Sequence, residues 1–363
     1  MNGSDHLLLK ATYALAEKGR FTCAPNPTVG CLIVKGGNIV GRGYHHKAGQ
    51  GHAEVEAIRN ARGRVAGATV YVSLEPCAFE GRTPACAKTL VEMGVARVVV
   101  GTLDPHPKVS GAGVRLLEAA GIQVEVANAP EARRLIRGYC SRIELNRPWV
   151  RIKTASSLDG ATALANGASQ WITGAESRSD VQYWRARSDA IITGVGTVLS
   201  DDPALTVRDY EAQAPLRVVL DSNLRLPKGA QVATDGRPTL VVHRAGAEQQ
   251  IESDVHRGDR RTSLSSVEFL AGDPRNLSNV LSLLAERGCN EVLVEAGPGV
   301  VGSFVEGGLW DEWVAYLAPA IMGQDAQNLA GVTFQDMQAI PRGKIVSIEQ
   351  TGSDVRVTMV PSS

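Results

Sequence analysis

The run Thr69-Val70-Tyr71-Val72-Ser73-Leu74 leads directly into Glu75-Pro76-Cys77. An apolar stretch rich in β-branched residues and closed by proline reads as a strand ending in a turn. Its flanks set the kind of sheet it joins. Upstream, Ala53–Ala61 reads as a helix, and Val29–Lys35 and Asn38–Tyr44 read as a hairpin joined at Gly36-Gly37. Downstream come a helix at Ala85–Met93, a strand at Arg97–Val100, a helix at Gly113–Ala120 and a strand at Ile122–Val126. Strands alternating with helices imply an α/β sheet with parallel pairs. This unit spans residues 1–126.

Residues 127–147, rich in Arg and Glu, read as a helical connector, and Pro148 marks the next boundary. A second α/β pattern fills residues 148–363. It has strands at Trp149–Ala155, Ala190–Thr193, Arg217–Asp221, Thr239–His243, Glu291–Glu295 and Glu312–Leu317, a helix at Glu176–Arg187 and a β-rich end. Leu277, Val280, Leu281 and Leu284 recur at helical spacing and mark one helix face. Arg244–Ser266 is polar, charged and without periodicity, and reads as a mobile loop.

With 363 residues, 44% hydrophobic and 21% charged, the chain has the length for two domains and an ordinary globular balance. No apolar run is long enough for a membrane span. Met1–Lys10 lacks the basic and then apolar regions of a secretory signal, so a cytoplasmic location is expected. The 38 basic and 38 acidic residues are unevenly spread: residues 1–145 hold 18 and 12 of them. A basic half raises the question of nucleic acid. The charges are scattered, though, and the aromatics sparse, which argues against nucleic acid and leaves a small phosphorylated substrate or no partner at all.

Six cysteines in a chain without a secretory signal point to thiols or metal ligands rather than disulfides. Three ligand-type residues stand in order: His52 in His52-Ala53-Glu54, Cys77 after Pro76, and Cys86. One imidazole and two thiolates leave a fourth position open, as catalytic Zn²⁺ requires. Glu54, two residues past His52 at a helix start, can reach the same cleft and carry a proton. H-x-E with P-C…C is the zinc-deaminase pattern, here with eight residues between the cysteines instead of the usual two. Cys23, Cys31, Cys140 and Cys289 lack such company and read as ordinary core or surface thiols.

Taken with Pro25-Asn26-Pro27-Thr28-Val29-Gly30 and the stretch Gly81-Arg82-Thr83-Pro84-Ala85-Cys86, these motifs resemble the deaminase half of the bifunctional riboflavin-biosynthesis deaminase–reductases. The resemblance implies zinc at His52, Cys77 and Cys86, Glu54 as the catalytic proton shuttle, Asn26 against the substrate pyrimidine and Arg82 on the substrate or its phosphate. Two positions depart from the family: Ala78-Phe79-Glu80 replaces Ser-His and His or Tyr, and His106 follows Asp104-Pro105 where Asn is common. His45 is either a substrate contact or a solvated loop histidine.

In the second unit, Gly297-Pro298-Gly299-Val300-Val301-Gly302 carries G-x-G-x-x-G after a strand. By itself this is either a phosphate-binding turn or a tight strand–helix connection. Asp201, Asp202 and Arg208 likewise read as a solvated turn on spacing alone. Resemblance to the reductase half of the same family covers Lys153 to Gly160, Ser169-Gln170-Trp171-Ile172-Thr173, Arg185-Ala186, Gly194 to Thr197, Asp201 to Arg208 and Glu295-Ala296-Gly297. It implies NADPH held by Ala155, Trp171, Thr197, Asp201, Ser222, Gly297, Pro298, Gly299, Val300, Val301, Gly302 and Ser303. Substrate would be held by Ser169, Arg185, Leu205, Arg208 and Glu295, with Asp201 also a catalytic candidate. The fold implied is a cytidine-deaminase-like α/β/α sandwich followed by a dihydrofolate-reductase-like α/β domain. A homo-oligomer is expected, with no nucleic acid and no membrane. The alternative is a zinc deaminase of another base or nucleotide fused to a nucleotide-binding domain.

Overall fold

The computed structural model describes residues 1–79, 85–247 and 266–362. Two compact units divide the chain, Met1–Asn146 and Arg147–Ser363. Arg82 and most of the expected 244–266 loop lie outside the described residues.

In the first unit the elements run α1 (Gly3–Glu17), β1 (Gly30–Lys35), β2 (Asn38–Tyr44), α2 (Ala53–Ala61), β3 (Thr69–Val72), α3 (Cys86–Glu92), β4 (Arg97–Val100), α4 (Ala112–Ala119), β5 (Gln123–Val126), α5 (Pro130–Leu135) and α6 (Arg137–Leu145). The five strands lie in the order β2-β1-β3-β4-β5. The pairs β3–β4 and β4–β5 are parallel, whereas β1 pairs antiparallel with both neighbours. One face is covered by α2, α3 and α4 through Ala57, Leu90 and Leu117, packed on Ile33, Val70 and Val98. The other carries Leu9 of α1 against Leu32, Tyr71 and Val99. All of the expected connector 127–147 except Arg147 belongs to this unit, folded as α5 and α6, with Leu135 and Ile136 clustering with Ala16 of α1.

Helix α1 has no counterpart in the hydrophobic pattern read above. It is set by a capping box, in which Asn2 accepts from the Asp5 N–H and Asp5 from the Asn2 N–H. Asp5 is itself buried. It receives two bonds from Arg97, at 2.8 and 2.9 Å, and one from Tyr71 at 2.7 Å.

The second unit continues with β6 (Trp149–Ser157), β7 (Ala161–Ala163), α7 (Ala175–Ala186), β8 (Ala190–Gly194), α8 (Val195–Asp201), β9 (Leu216–Leu220), α9 (Gln231–Thr234), β10 (Thr239–His243), β11 (Val267–Ala271), α10 (Leu277–Glu286), β12 (Glu291–Val294), α11 (Pro298–Glu306), β13 (Glu312–Ala318), β14 (Gln327–Asn328), β15 (Gly343–Thr351) and β16 (Asp354–Pro361). Nine strands form one sheet in the order β11-β10-β9-β8-β12-β6-β13-β16-β15. The first seven are parallel, and the terminal hairpin β15–β16 adds on antiparallel through β13. Buried on both faces, the central strands are near-continuous apolar runs. Leu281 and Leu284 of α10 and Phe304 of α11 pack on one face, and Trp184 of α7 and Val198 of α8 on the other. Gly194 caps α8, and Val195, Gly196 and Thr197 form its first turn.

The Arg97 guanidinium holds the Asp5 carboxyl well below the usual carboxylate range. A depressed carboxylate contributes stability that is complete above its unfolded value of about 4 and fades as pH falls toward the folded one. D5N should therefore cost the first unit about 3 kcal/mol near neutral pH, as for a broken buried pair. The gap from wild type should narrow once pH drops below about 4. Denaturant melts across pH, followed by the first unit's unfolding, check both; an unchanged gap down to acid pH would contradict the assignment.

Candidate functional site

In the first unit the site is built where helices begin. Gly41 and Gly43 of β2 have no side chains, and a Cβ at either would stand 2.4 or 2.3 Å from the carbonyl oxygens of Ala57 and Ala53. Helix α2 can therefore lie directly on β2. His52 is its N-cap residue, Glu54 is in its first turn, and Cys86 opens α3. His52 Nδ1 stands 3.2 Å from Cys86 Sγ and 3.7 Å from Cys77 Sγ, and the Cys86 N–H meets Cys77 Sγ at 3.3 Å. All three ligand atoms lie within 4.8 Å of one another. One imidazole nitrogen and two sulfurs converging this closely suit a tetrahedral Zn²⁺ with an open fourth position. Contacts from Cys86 and His52 lower the pKa of the Cys77 thiol, which favours the thiolate form a metal needs. The other four cysteines, Cys23, Cys31, Cys140 and Cys289, are all buried.

Glu54 is 4% exposed. Burial, reinforced by the neighbouring Cys77 sulfur, pushes its carboxyl up to about 7. A cation at the cluster would pull it back down, so this carboxyl can both take and return a proton near neutral pH. His45 is buried rather than solvated. Its Nδ1 faces the Gly51 carbonyl at 3.1 Å and its Nε2 faces Asn26 Nδ2 at 3.0 Å. A carbonyl only accepts, so Nδ1 carries the proton, Nε2 accepts from the Asn26 amide, and the orientation of Asn26 is thereby set. Asp104 accepts from the His106 N–H at 2.8 Å, and Phe79 is exposed.

In the second unit Ala155, Thr197, Ser222, Glu295 and Gly297 lie at or just past the carboxyl ends of parallel strands, where open α/β sheets bind ligands. β8 and β12 are neighbours, and α8 and α11 follow them. The Gly297 N–H donates to Thr197 Oγ1 at 3.1 Å, tying the two helix starts together. Pro298 opens α11, and around Gly299 there is open space where a Cβ would be. Unpaired N–H groups at this nine-residue helix's start suit a dinucleotide phosphate. Farther along α11, Val301 is buried in the core, and a Cβ at Gly302 would stand 2.8 Å from the Gly331 carbonyl oxygen. Val300 lies 2.9 Å from the Cβ position of Gly194, and Ser303 is on the exposed side of the helix.

Ala155 lies on β6, and Ser222 follows β9 and accepts from the Arg244 N–H at 3.3 Å. Trp171 is 70% exposed, with the Arg178 guanidinium 4.5 Å from its ring centre. Ser169 donates to Asp201 at 3.4 Å. Arg185 grips Glu295 through two bonds, at 2.6 and 2.9 Å, and reaches the Thr206 carbonyl beside buried Leu205 at 3.1 Å. Arg208 is exposed, its N–H bonded to Gln182 Oε1. Burial would raise the Glu295 carboxyl, but Arg185's charge and hydrogen bonds hold it below the usual range. Lys153, quoted above only as part of a motif, stands in the field of this pair; burial lowers its pKa. Its place one turn of the pleat before Ala155 is the only local signal it carried.

A metal-binding deaminase unit followed by a reductase unit defines a two-step enzyme. Residues 3–102 match the cytidine and deoxycytidylate deaminase zinc-binding region, and residues 148–357 match the RibD C-terminal domain. The riboflavin biosynthesis protein RibD of Escherichia coli is 40% identical over 374 aligned residues, spanning 98% of this chain and 99% of that protein. The solved structure of Acinetobacter baumannii RibD superposes with a TM-score of 0.89 at 39% identity, covering 99% of both chains. That of the Thermotoga maritima diaminohydroxyphosphoribosylaminopyrimidine deaminase/5-amino-6-(5-phosphoribosylamino)uracil reductase gives 0.87 at 33% identity, again over 99% of both. The chain belongs to the RibD family of bifunctional deaminase–reductases of riboflavin biosynthesis. Its fold class, two-domain organisation, zinc and NADPH are those the sequence led us to expect. No helix among the described residues is long and apolar enough to cross a membrane.

If His52, Cys77 and Cys86 are the ligands, the protein should carry about one zinc per chain. C86A should lose most of it while the second unit keeps its NADPH binding. Atomic absorption on dialysed protein and a fluorescence titration with NADPH check the two halves; full zinc in C86A would contradict the ligand set.

Proposed function

We propose that the first unit hydrolyses the 2-amino group of 2,5-diamino-6-(5-phosphoribosylamino)pyrimidin-4-one. The second unit then reduces the ribosyl side chain of the resulting 5-amino-6-(5-phosphoribosylamino)uracil to ribityl. The observation that carries the reading is the buried Glu54 carboxyl beside a convergent His52–Cys77–Cys86 cluster, in a chain that also builds the Arg185–Glu295 site. Zinc at that cluster, when bound, supplies acidified water at neutral pH. Glu54 takes a proton on one side of the reaction and returns it to the departing nitrogen, so water enters and ammonia leaves. Asn26, held by His45, presents its remaining amide atoms to the pyrimidine, and Arg82 holds the phosphate end.

In the second unit NADPH, when bound, supplies the hydride. Ala155, Trp171, Thr197, Ser222 and the Gly297–Ser303 segment hold it, with the first turn of α11 as the phosphate seat and Val301 and Gly302 shaping that turn from within. Arg185, fixed by Glu295, and the exposed Arg208 suit the planar capture of a phosphorylated ribose. Leu205 lines the substrate, and Ser169 orients Asp201, which we assign as the proton source for the imine nitrogen of the ring-opened ribosyl group, whose carbon takes the hydride. Lys153 adds a buried amino group as a further hydrogen-bond donor to the pyrimidine. A small phosphorylated pyrimidine is thus the partner this reading requires; a homo-oligomer and a cytoplasmic location stay among its expectations.

Two variants separate the halves. E54A should lower ammonia release about a thousandfold or more and leave NADPH oxidation on the deaminated uracil intermediate intact. R185A should leave ammonia release intact and raise the reductase KM about tenfold or more, as expected when a charge-assisted pair to substrate is lost. Both are read by following ammonia and NADPH separately. Full deaminase activity in E54A would sink the assignment of that carboxyl.

A further inference from the structure

One buried carboxylate of the first unit takes no part in the chemistry above. Glu75 lies between β3 and Cys77 and is 4% exposed. Its two oxygens accept four backbone N–H groups. Oε2 takes those of Gly111 at 2.9 Å and Asp104 at 3.2 Å; Oε1 takes those of Gly113 at 2.9 Å and Val114 at 3.2 Å. Removing such an acceptor strands several main-chain donors at once.

The donors come from two places. Gly111 is the N-cap of α4, with φ +73° and no side chain to cap the helix, and Gly113 and Val114 are in its first turn. Glu75 performs that capping from another segment, with its negative charge at the positive end of the helix. Asp104 belongs to the loop after β4, where it also accepts from the Tyr139 hydroxyl at 3.3 Å. The packing is as tight as the bonding: a Cβ at Gly113 would stand 1.9 Å from the Pro76 carbonyl oxygen. The Glu75 N–H donates to the Thr102 carbonyl at 3.0 Å, and the Cys77 carbonyl accepts from the Ala87 N–H at 3.0 Å. Glu75 is therefore bonded at once to the Asp104 loop and to the α4 turn that rests on Pro76, next to Cys77.

We propose that Glu75 is a positioning residue for deamination, holding the Asp104–Val114 segment against the Pro76-Cys77 turn and so fixing both the direction of Cys77 Sγ and the wall that carries Asp104 and His106. The inference rests on the zinc-deaminase reading of the site. Glutamine in place of Glu75 keeps the shape but turns an NH₂ group toward two of the four donors, so it is a poor substitute.

The test uses the full chain, with E75Q and, separately, G113A, each as zinc and as cobalt protein. Expected for both are about one metal per chain, altered thiolate-to-cobalt absorption and faster amide exchange across residues 104–114. Deaminase kcat should fall about tenfold or more, as for small displacements of a catalytic group, with unchanged reduction of the uracil intermediate. Wild-type kinetics and a wild-type cobalt spectrum in E75Q would overturn the proposal. Loss of the first unit's cooperative melting together with its metal in E75Q passes the decision to G113A, which leaves the carboxylate in place. A wild-type spectrum with wild-type kcat in G113A would then overturn it equally. Should wild-type protein release no ammonia, the deaminase reading fails, while the cobalt spectra and amide exchange still decide whether Glu75 orients Cys77.

Discussion

Two helices of the first unit begin at the same point, and the chemistry of that unit depends on it. His52 caps α2 and Cys86 opens α3, and both helices lie on one face of a five-stranded sheet. Their ligand atoms come within 3.2 Å because glycines on β2 let α2 settle onto the strand. Cys77 completes the set from the turn five residues past β3. A helix N-terminus also favours negative charge, so two such ends suit thiolates and a carboxylate in a buried place. Glu54 is held there by the same first turn of α2.

The second unit solves a different problem by a related device. Seven parallel strands put their carboxyl ends on one edge, and β8 and β12, adjacent in the sheet, each deliver a helix start. Thr197 and Gly297 lock these together. The Arg185–Glu295 pair fixes a guanidinium in advance, so on the proposed reading little side-chain freedom would be lost when a phosphorylated ligand binds.

Much of this was legible in the sequence. The bounds of α2 and of β2, β4 and β10 follow from periodicity and punctuation, and His52-Ala53-Glu54 with Pro76-Cys77 and Cys86 picked out three ligand-type residues that the structure brings together. What escaped had physical reasons. Helix α1 is held by a capping box and a buried Asp5–Arg97 pair, features that a hydrophobic pattern does not register. α8 is seven residues long and starts beside Gly194 and Gly196, too short and too rich in glycine to show helical periodicity. His45 could be placed as contact or solvated loop only once its two ring nitrogens had partners. Glu75 and Lys153 look like ordinary charged residues in sequence; their partners come from segments 27 or more residues away. The glycine motif at 297–302 proved to be a helix start in which Gly302 serves packing against Gly331, a distinction no spacing rule makes.

The most direct test of the account is the stoichiometry of the two steps in one tube. Zinc-loaded protein is given the diaminopyrimidinone ribosylamino phosphate with excess NADPH, and ammonia and NADPH are followed together. The account predicts that ammonia appears first and that NADPH falls by an equal amount behind it. Consumption of NADPH without ammonia, or ammonia with no loss of NADPH even after the uracil intermediate is supplied, would contradict a chain that carries both reactions in series.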